Sequence, residues 1–183
     1  HRHLYRSAIL GDDRPFVVYT PPGYDPAAAK PYPVLYLLHG YSDAEDAWVS
    51  VGRANVILDN LIAQGKARPM LVVMPLGYGN KEVIAGGWAG LRNAEVWKDS
   101  IAKFRDVVLT EIMPQVEKSY HVSTDRESRA IAGLSMGGMQ SLFIGLNALD
   151  RFAWIGAFSS GGLDTNFDTA YPAVSESANA QLR

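Results

Sequence analysis

A serine becomes a nucleophile only where something takes its proton and something receives the charge that then develops. Residues 131–139 read Ile-Ala-Gly-Leu-Ser-Met-Gly-Gly-Met, so Ser135 sits inside Gly133-Leu-Ser-Met-Gly137, a G-x-S-x-G pattern. The apolar run Arg129-Ala-Ile-Ala-Gly133 before it predicts a buried strand. Met139, Leu142, Phe143 and Leu146 after it recur at helical spacing. On so sharp a strand-to-helix turn the hydroxyl is lifted above the sheet edge, and larger residues in place of the flanking glycines would clash with strand or helix. The helix N-terminus beneath also favours developing negative charge. A glycine-rich turn with an incidental serine accounts for this context less well.

A second stretch offers the complementary function. His39-Gly40-Tyr41 closes the apolar run Pro33-Val-Leu-Tyr-Leu-Leu38. In serine hydrolases of strand–elbow–helix design, the loop after that strand gives one backbone N–H to the oxyanion hole, and the residue after the nucleophile gives the other. Here those donors are Tyr41 and Met136. His39 is a tempting base, but a histidine ending a buried strand usually props its own loop, and this architecture places the base after the nucleophile. His121 precedes the strand leading to Ser135 and is expected at the opposite end of the sheet. His1 and His3 are expected at a frayed terminus. Ser42-Asp-Ala-Glu45 reads as a capping box opening a short helix. The runs 77–80 and 86–88 are glycine-rich without a P-loop lysine, and predict a long loop over the C-terminal edge of the sheet. Gly40 and Trp88 are candidates to line a substrate pocket. No spacing suggests a metal site, and no cofactor is called for.

These residues need elements to hold them. Leu4–Leu10 and Arg14–Thr20 alternate enough to predict two strands joined near Gly11-Asp12-Asp13. Residues 33–40, 71–75, 129–133 and 152–158 read as short buried strands. Between them, Ala54, Ile57, Leu58, Leu61 and Ile62 share one helical face that ends at Gly65. Trp97, Ile101, Phe104, Val108, Ile112 and Val116 form a longer stripe whose last turns Pro114 is expected to kink or interrupt. Alternating strand and helix predict one α/β domain over 1–183, a mainly parallel sheet with helices on both faces and an antiparallel N-terminal edge. The net charge is −2 with scattered basic residues, which predicts neither nucleic-acid nor membrane partners. Cysteine is absent, which excludes disulfides and thiol catalysis but leaves the compartment open. His1 reads as the start of a processed or excised piece.

With these residues in hand, the chain resembles the feruloyl esterases of carbohydrate esterase family one, within the esterase D-like α/β-hydrolases. The resemblance is carried by YTPPGY (19–24), PVLYLLHGYSDAEDAW (33–48), GRANVILDNLIAQGKARPMLVVMP (52–75), TDRESRAIAGLSMGGMQS (124–141) and LDRFAWIGAFSSG (149–161). It implies hydrolysis of hydroxycinnamoyl esters on xylan by an extracellular enzyme, often one module of a larger protein, with Ser135 as nucleophile. It also implies an acid and a histidine base that follow the nucleophile in the order Ser, Asp, His. No histidine occurs after His121, and Asp150, Asp164, Asp168 and Glu176 are not in the family's context for the acid. The triad Asp and His are therefore expected beyond Arg183. The chain then reads as part of a longer esterase, as one of two chains completing a domain, or as a truncation that binds carbohydrate without cleaving it. Acetylxylan or siderophore esters are the rival substrates within the same fold.

Overall fold

The computed structural model describes residues 1–161, 166–172 and 174. The runs that have little to offer water become strands buried on both faces. These are β3 (Val34–Leu38) and β4 (Leu71–Pro75), flanked by β1 (Arg2–Arg6), β2 (Asp13–Tyr19), β5 (Arg129–Leu134) and β6 (Trp154–Phe158). The sheet order is β1-β2-β4-β3-β5-β6. The pairs β4–β3, β3–β5 and β5–β6 are parallel, and the hairpin β1–β2 joins β4 antiparallel, giving the expected N-terminal edge.

Alternation along the strands divides the core. Val34, Tyr36, Leu38, Leu71, Val73 and Ile131 face one side, where α5 (Ala94–Val107), α6 (Met113–Ser119) and α7 (Met136–Leu146) bring Phe104, Val107, Val116 and Ile144. Leu37, Val72 and Met74 face the other, under Trp48 and Val49 of α1 (Ala47–Ser50) and Leu58 of α2 (Ala54–Ala63). No helix among the described residues is long and apolar enough to cross a membrane.

Several expectations need correction. Helical structure continues through Pro114, because one π-helical turn (Val108–Ile112) precedes it. There the Met113 N–H reaches back to the Val108 carbonyl, so the wide turn absorbs the donor that proline lacks. On α7 the buried face shares only Leu146 with the apolar stripe. Gly137, Gln140, Ser141 and Gly145 face inward while Leu142 and Phe143 are half-buried, since a helix that presses this close on a sheet needs small residues there. Ile57 of α2 stays 52% exposed. The capping box does not form. Ser42 takes a positive φ of 70°, α1 begins at Ala47, and the buried Glu45 carboxylate pairs with Arg2 at 2.8 Å. The N-terminus is not frayed. The His1 backbone nitrogen bonds Val18 O at 2.7 Å, and His3 stacks on Phe16 with ring centroids 4.7 Å apart. The run 77–80 is loop as expected, but the stretch that follows forms two short helices, α3 (Glu82–Ala85) and α4 (Gly87–Arg92), in place of one continuous loop through 88. The Asn80 side chain starts them by accepting the Glu82 N–H at 2.8 Å.

The π-helical turn also holds the N-terminal hairpin. Glu111 accepts from Ser7 Oγ at 2.6 Å, from the Ala8 N–H at 2.8 Å and from the Ile9 N–H at 3.1 Å. Charge-assisted bonds of this kind are the strong ones, so Glu111→Ala is expected to cost about 2–3 kcal/mol. A thermal melt should show the midpoint lowered by roughly 5–10 °C.

Candidate active site

Strand β5 is paired on both sides, so what it carries at its end is firmly placed. It delivers Ser135 in a conformation with φ 55° and ψ −112°, which non-glycine residues hold only under strain of about 1–3 kcal/mol. The Ser135 N–H is bonded to Phe158 O at 2.8 Å, and its carbonyl accepts from Met139 at 3.1 Å. The side chain is exposed. The turn is tight because α7 lies against the sheet. A Cβ on Gly133 would fall 2.4 Å from the Gly137 carbonyl carbon, and one on Gly137 would fall 2.5 Å from Leu38 O.

The turn after β3 lies alongside. A Cβ on Gly40 would stand 3.8 Å from Ser135 Cβ and 3.4 Å from Asp43 Oδ2. Met136, the first residue of α7, has an N–H with no intrahelical acceptor, and its buried side chain packs with Tyr78 and Val83. Tyr41 is half-buried. Its hydroxyl donates to Val83 O at 3.3 Å, and its ring lies 4.8 Å from that of Trp88, which is 63% exposed. The structure thus brings Ser135, Gly40, Tyr41, Met136 and Trp88 together at the C-terminal ends of the central strands.

The histidines lie elsewhere or are occupied. His39 is 2% exposed. Its Nε2 lies 2.9 Å from the Gly77 N–H, and its Nδ1 lies 2.8 Å from Gly40 O. An amide N–H can only donate and a carbonyl can only accept, so Nε2 is the bare nitrogen and Nδ1 carries the proton. The basic nitrogen is therefore taken, and His39 props its loop. His121 bonds Ala28 O at 3.0 Å beside the N-terminal ends of the strands, and His1 and His3 belong to the far edge. Asp150 is exposed beyond the C-terminus of α7. Asp168 is exposed on α8 (Phe167–Ala170), next to Tyr171, whose ring packs on Phe143. Neither adjoins Ser135. Asp164 and Glu176 lie outside the described residues. Among the described residues no group of three or more histidine or acidic side chains is placed to hold a metal ion. Gln140, buried on α7, escaped the sequence reading; its one signal is a polar side chain on the sheet-facing side of that helix.

Burial depresses the His39 pKa below its ordinary 6.5, and Arg14 adds to this. The bond to Gly40 and the carboxylates of Asp43 and Glu45 oppose it. Tyr78 covers the ring at 5.2 Å. A histidine kept neutral contributes stability that is complete above its ordinary value of 6.5 and is lost as pH falls from there through the lowered folded value. The melting midpoint should therefore drop between pH 7 and 5, and His39→Gln should flatten that part of the profile.

With the geometry in place, comparison with known proteins identifies the family. Residues 7–181 match the Esterase family, described as "Putative esterase". The chain belongs to that esterase family. It is 37% identical over 147 residues to an endo-1,4-beta-xylanase/feruloyl esterase of Xylanibacter ruminicola, a match that covers 79% of this chain and 19% of that protein. Among solved structures, the CE1 ferulic acid esterase of the anaerobic fungus Anaeromyces mucronatus aligns with a TM-score of 0.78 and 32% identity. That alignment covers 88% of this esterase chain and 59% of the other. The same enzyme in complex with ferulic acid gives 0.76 and 33%, over 90% and 61%. The chain thus spans about three fifths of those solved esterases and about one fifth of the bacterial relative. The sheet order and edge hairpin are those of an α/β-hydrolase-type esterase, and the resemblance to carbohydrate esterase family one stands.

Proposed function

We propose that the protein carrying these residues is a serine carboxylesterase that hydrolyses feruloyl and related hydroxycinnamoyl esters on xylan. The observation that carries this reading is Ser135 itself, exposed and strained at φ 55°, with Gly40-Tyr41 folded against it. Ser135 Oγ attacks the ester carbonyl while its proton passes to a base. The carbonyl oxygen takes the electron pair and is held by the Tyr41 and Met136 N–H groups. Collapse of this intermediate expels the sugar alkoxide, which takes the proton back and leaves ferulate on Ser135. Water repeats the sequence and releases ferulate. Hydrolysis of this kind needs neither metal nor organic cofactor. The four histidines of the chain are held or distant, so none of them is placed to take the Ser135 proton. The names of the relatives, a xylanase/feruloyl esterase and a ferulic acid esterase seen with ferulic acid, support the acyl group and the polymer. The same reading puts the enzyme outside the cell, where xylan is.

The deciding experiment is ferulate release from methyl ferulate by the protein that carries these residues, against acetate release from acetylated xylan. Preference for the first supports the reading. Preference for the second makes the protein an acetyl esterase of the same fold. Xylan binding with no turnover of either ester would reduce it to a binding module. Trp88 presents an open aromatic face beside Tyr41, suited to an aromatic acyl group. Trp88→Ala is expected to lower kcat/KM about ten-fold for methyl ferulate and to leave an acetyl ester unchanged.

A further inference from the structure

Three hydrogen bonds run in series from the nucleophile helix to the turn after β3. Gln140 Nε2 donates to Gly77 O at 2.6 Å, Gly77 N–H donates to His39 Nε2 at 2.9 Å, and His39 Nδ1–H donates to Gly40 O at 2.8 Å. Both side chains are buried, Gln140 completely and His39 to 2% exposure. The last acceptor is the important one. The Gly40 carbonyl and the Tyr41 N–H belong to a single peptide unit, planar and trans, so fixing the direction of one fixes the other on the opposite side. His39 therefore aims the Tyr41 N–H without touching it. Gln140 in turn fixes Gly77, whose N–H selects the His39 tautomer that can donate to Gly40.

Gln140 is only half satisfied where it sits. Its Oε1 is buried with no hydrogen-bond partner, a desolvation cost that an apolar side chain of similar size would avoid. Its amide orientation is not open to choice, because Gly77 O can only accept. Gln140 also rides on the helix whose first amide belongs to Met136. The series thus links the element carrying one N–H donor to the peptide carrying the other.

We propose that Gln140 is a positioning residue that holds the Tyr41 amide in register with Met136, acting through Gly77, His39 and the Gly40–Tyr41 peptide. This rests on the reading of Tyr41 and Met136 as oxyanion donors to a Ser135 nucleophile. A misplacement of about 1 Å at such a donor costs on the order of a hundred-fold in rate, and outright loss of one donor 10²–10³-fold. Interactions that tighten only as the oxyanion forms show in kcat and not in KM.

The test is steady-state kinetics on methyl ferulate with the full-length esterase and its Gln140→Met, His39→Gln and double variants, at a temperature where circular dichroism shows each folded. Gln140→Met should lose about ten- to a hundred-fold in kcat with KM within about two-fold, and its melting midpoint should fall by only a few degrees, because orphaning the buried Gly77 O is partly offset by removing the unpaired Oε1. The double variant should lose no more than the larger single loss, because both substitutions break one series. A folded Gln140→Met with kcat within about two-fold of the parent overturns the proposal, as does a loss that merely tracks the folded fraction. Gln140→Glu supplies a second readout: its activity relative to the parent should rise as pH falls, since only the protonated acid donates to Gly77 O. A flat ratio counts against the proposal. Ser135→Ala, run alongside, separates the two readings. If it keeps turnover, the esterase reading itself falls; if it is inert while the Gln140 variants match the parent, only the positioning role does.

Discussion

Ser135→Ala in the full-length esterase should reduce methyl ferulate turnover about a million-fold, to the level left by binding and the oxyanion donors alone. The fold should not notice. Ser135 makes its structural bonds through its backbone, to Phe158 O and from Met139 N–H, and alanine keeps both. Alanine at φ 55° is as strained as serine, so its melting midpoint should match the parent. Ser135→Gly should be equally inert yet more stable by about 1–3 kcal/mol, because glycine alone occupies φ 55°, ψ −112° without penalty. Measured together, the two substitutions distinguish a nucleophile held under strain from a serine that is incidental to its turn. Residual hydrolysis within ten-fold of the parent in either one would sink the assignment of Ser135.

Gly137→Ala should remove the folded protein altogether. The added Cβ would lie 2.5 Å from Leu38 O and 2.6 Å from His39 O, and backbone cannot swing aside as a side chain can. Overpacking against rigid neighbours costs about 1–3 kcal/mol in a forgiving site and more where both sides are backbone, so a loss of about 4 kcal/mol or more is expected. The chain could escape only by lifting α7 off β3, which would part Met136 from Tyr41 even if some structure survived. Soluble yield and urea unfolding are the measurements. A variant with the parent's midpoint would mean that helix and strand are not this close.

Much of this was legible before any coordinates. The buried strands announced themselves because continuous apolar runs such as Leu71–Pro75 have no other good home, and the serine turn because glycines recur at positions where packing forbids anything larger. What sequence could not show was where polar groups would find partners. The Ser42/Glu45 spacing suits a helix start, yet Glu45 meets Arg2 from another strand, a contact that no local pattern encodes. Gly77 and Gly79 are in loop as read, but Gly86 and Gly87 also look like loop because propensity counts glycine against helix. Close approach of Gly86 to Gly90 instead lets two short turns pack together. On α7 only Leu146 of the apolar stripe is buried, since the helix presses on the sheet through small and polar residues together with Met136 and Ile144. The role of Gln140 could not be read for the same reason: its partner is a loop carbonyl 63 residues away.

Strand β6 has a consequence for how the site breathes. Its side chains Trp154 and Phe158 are 43% and 56% exposed, and among the described residues no strand lies outside it. Strand ends open locally, in excursions far smaller than global unfolding. Phe158, the last residue of β6, is also the acceptor for the Ser135 amide. The serine turn is thus latched to that strand end, and the protection of the Ser135 amide against exchange with solvent reports how firmly the end of β6 is held.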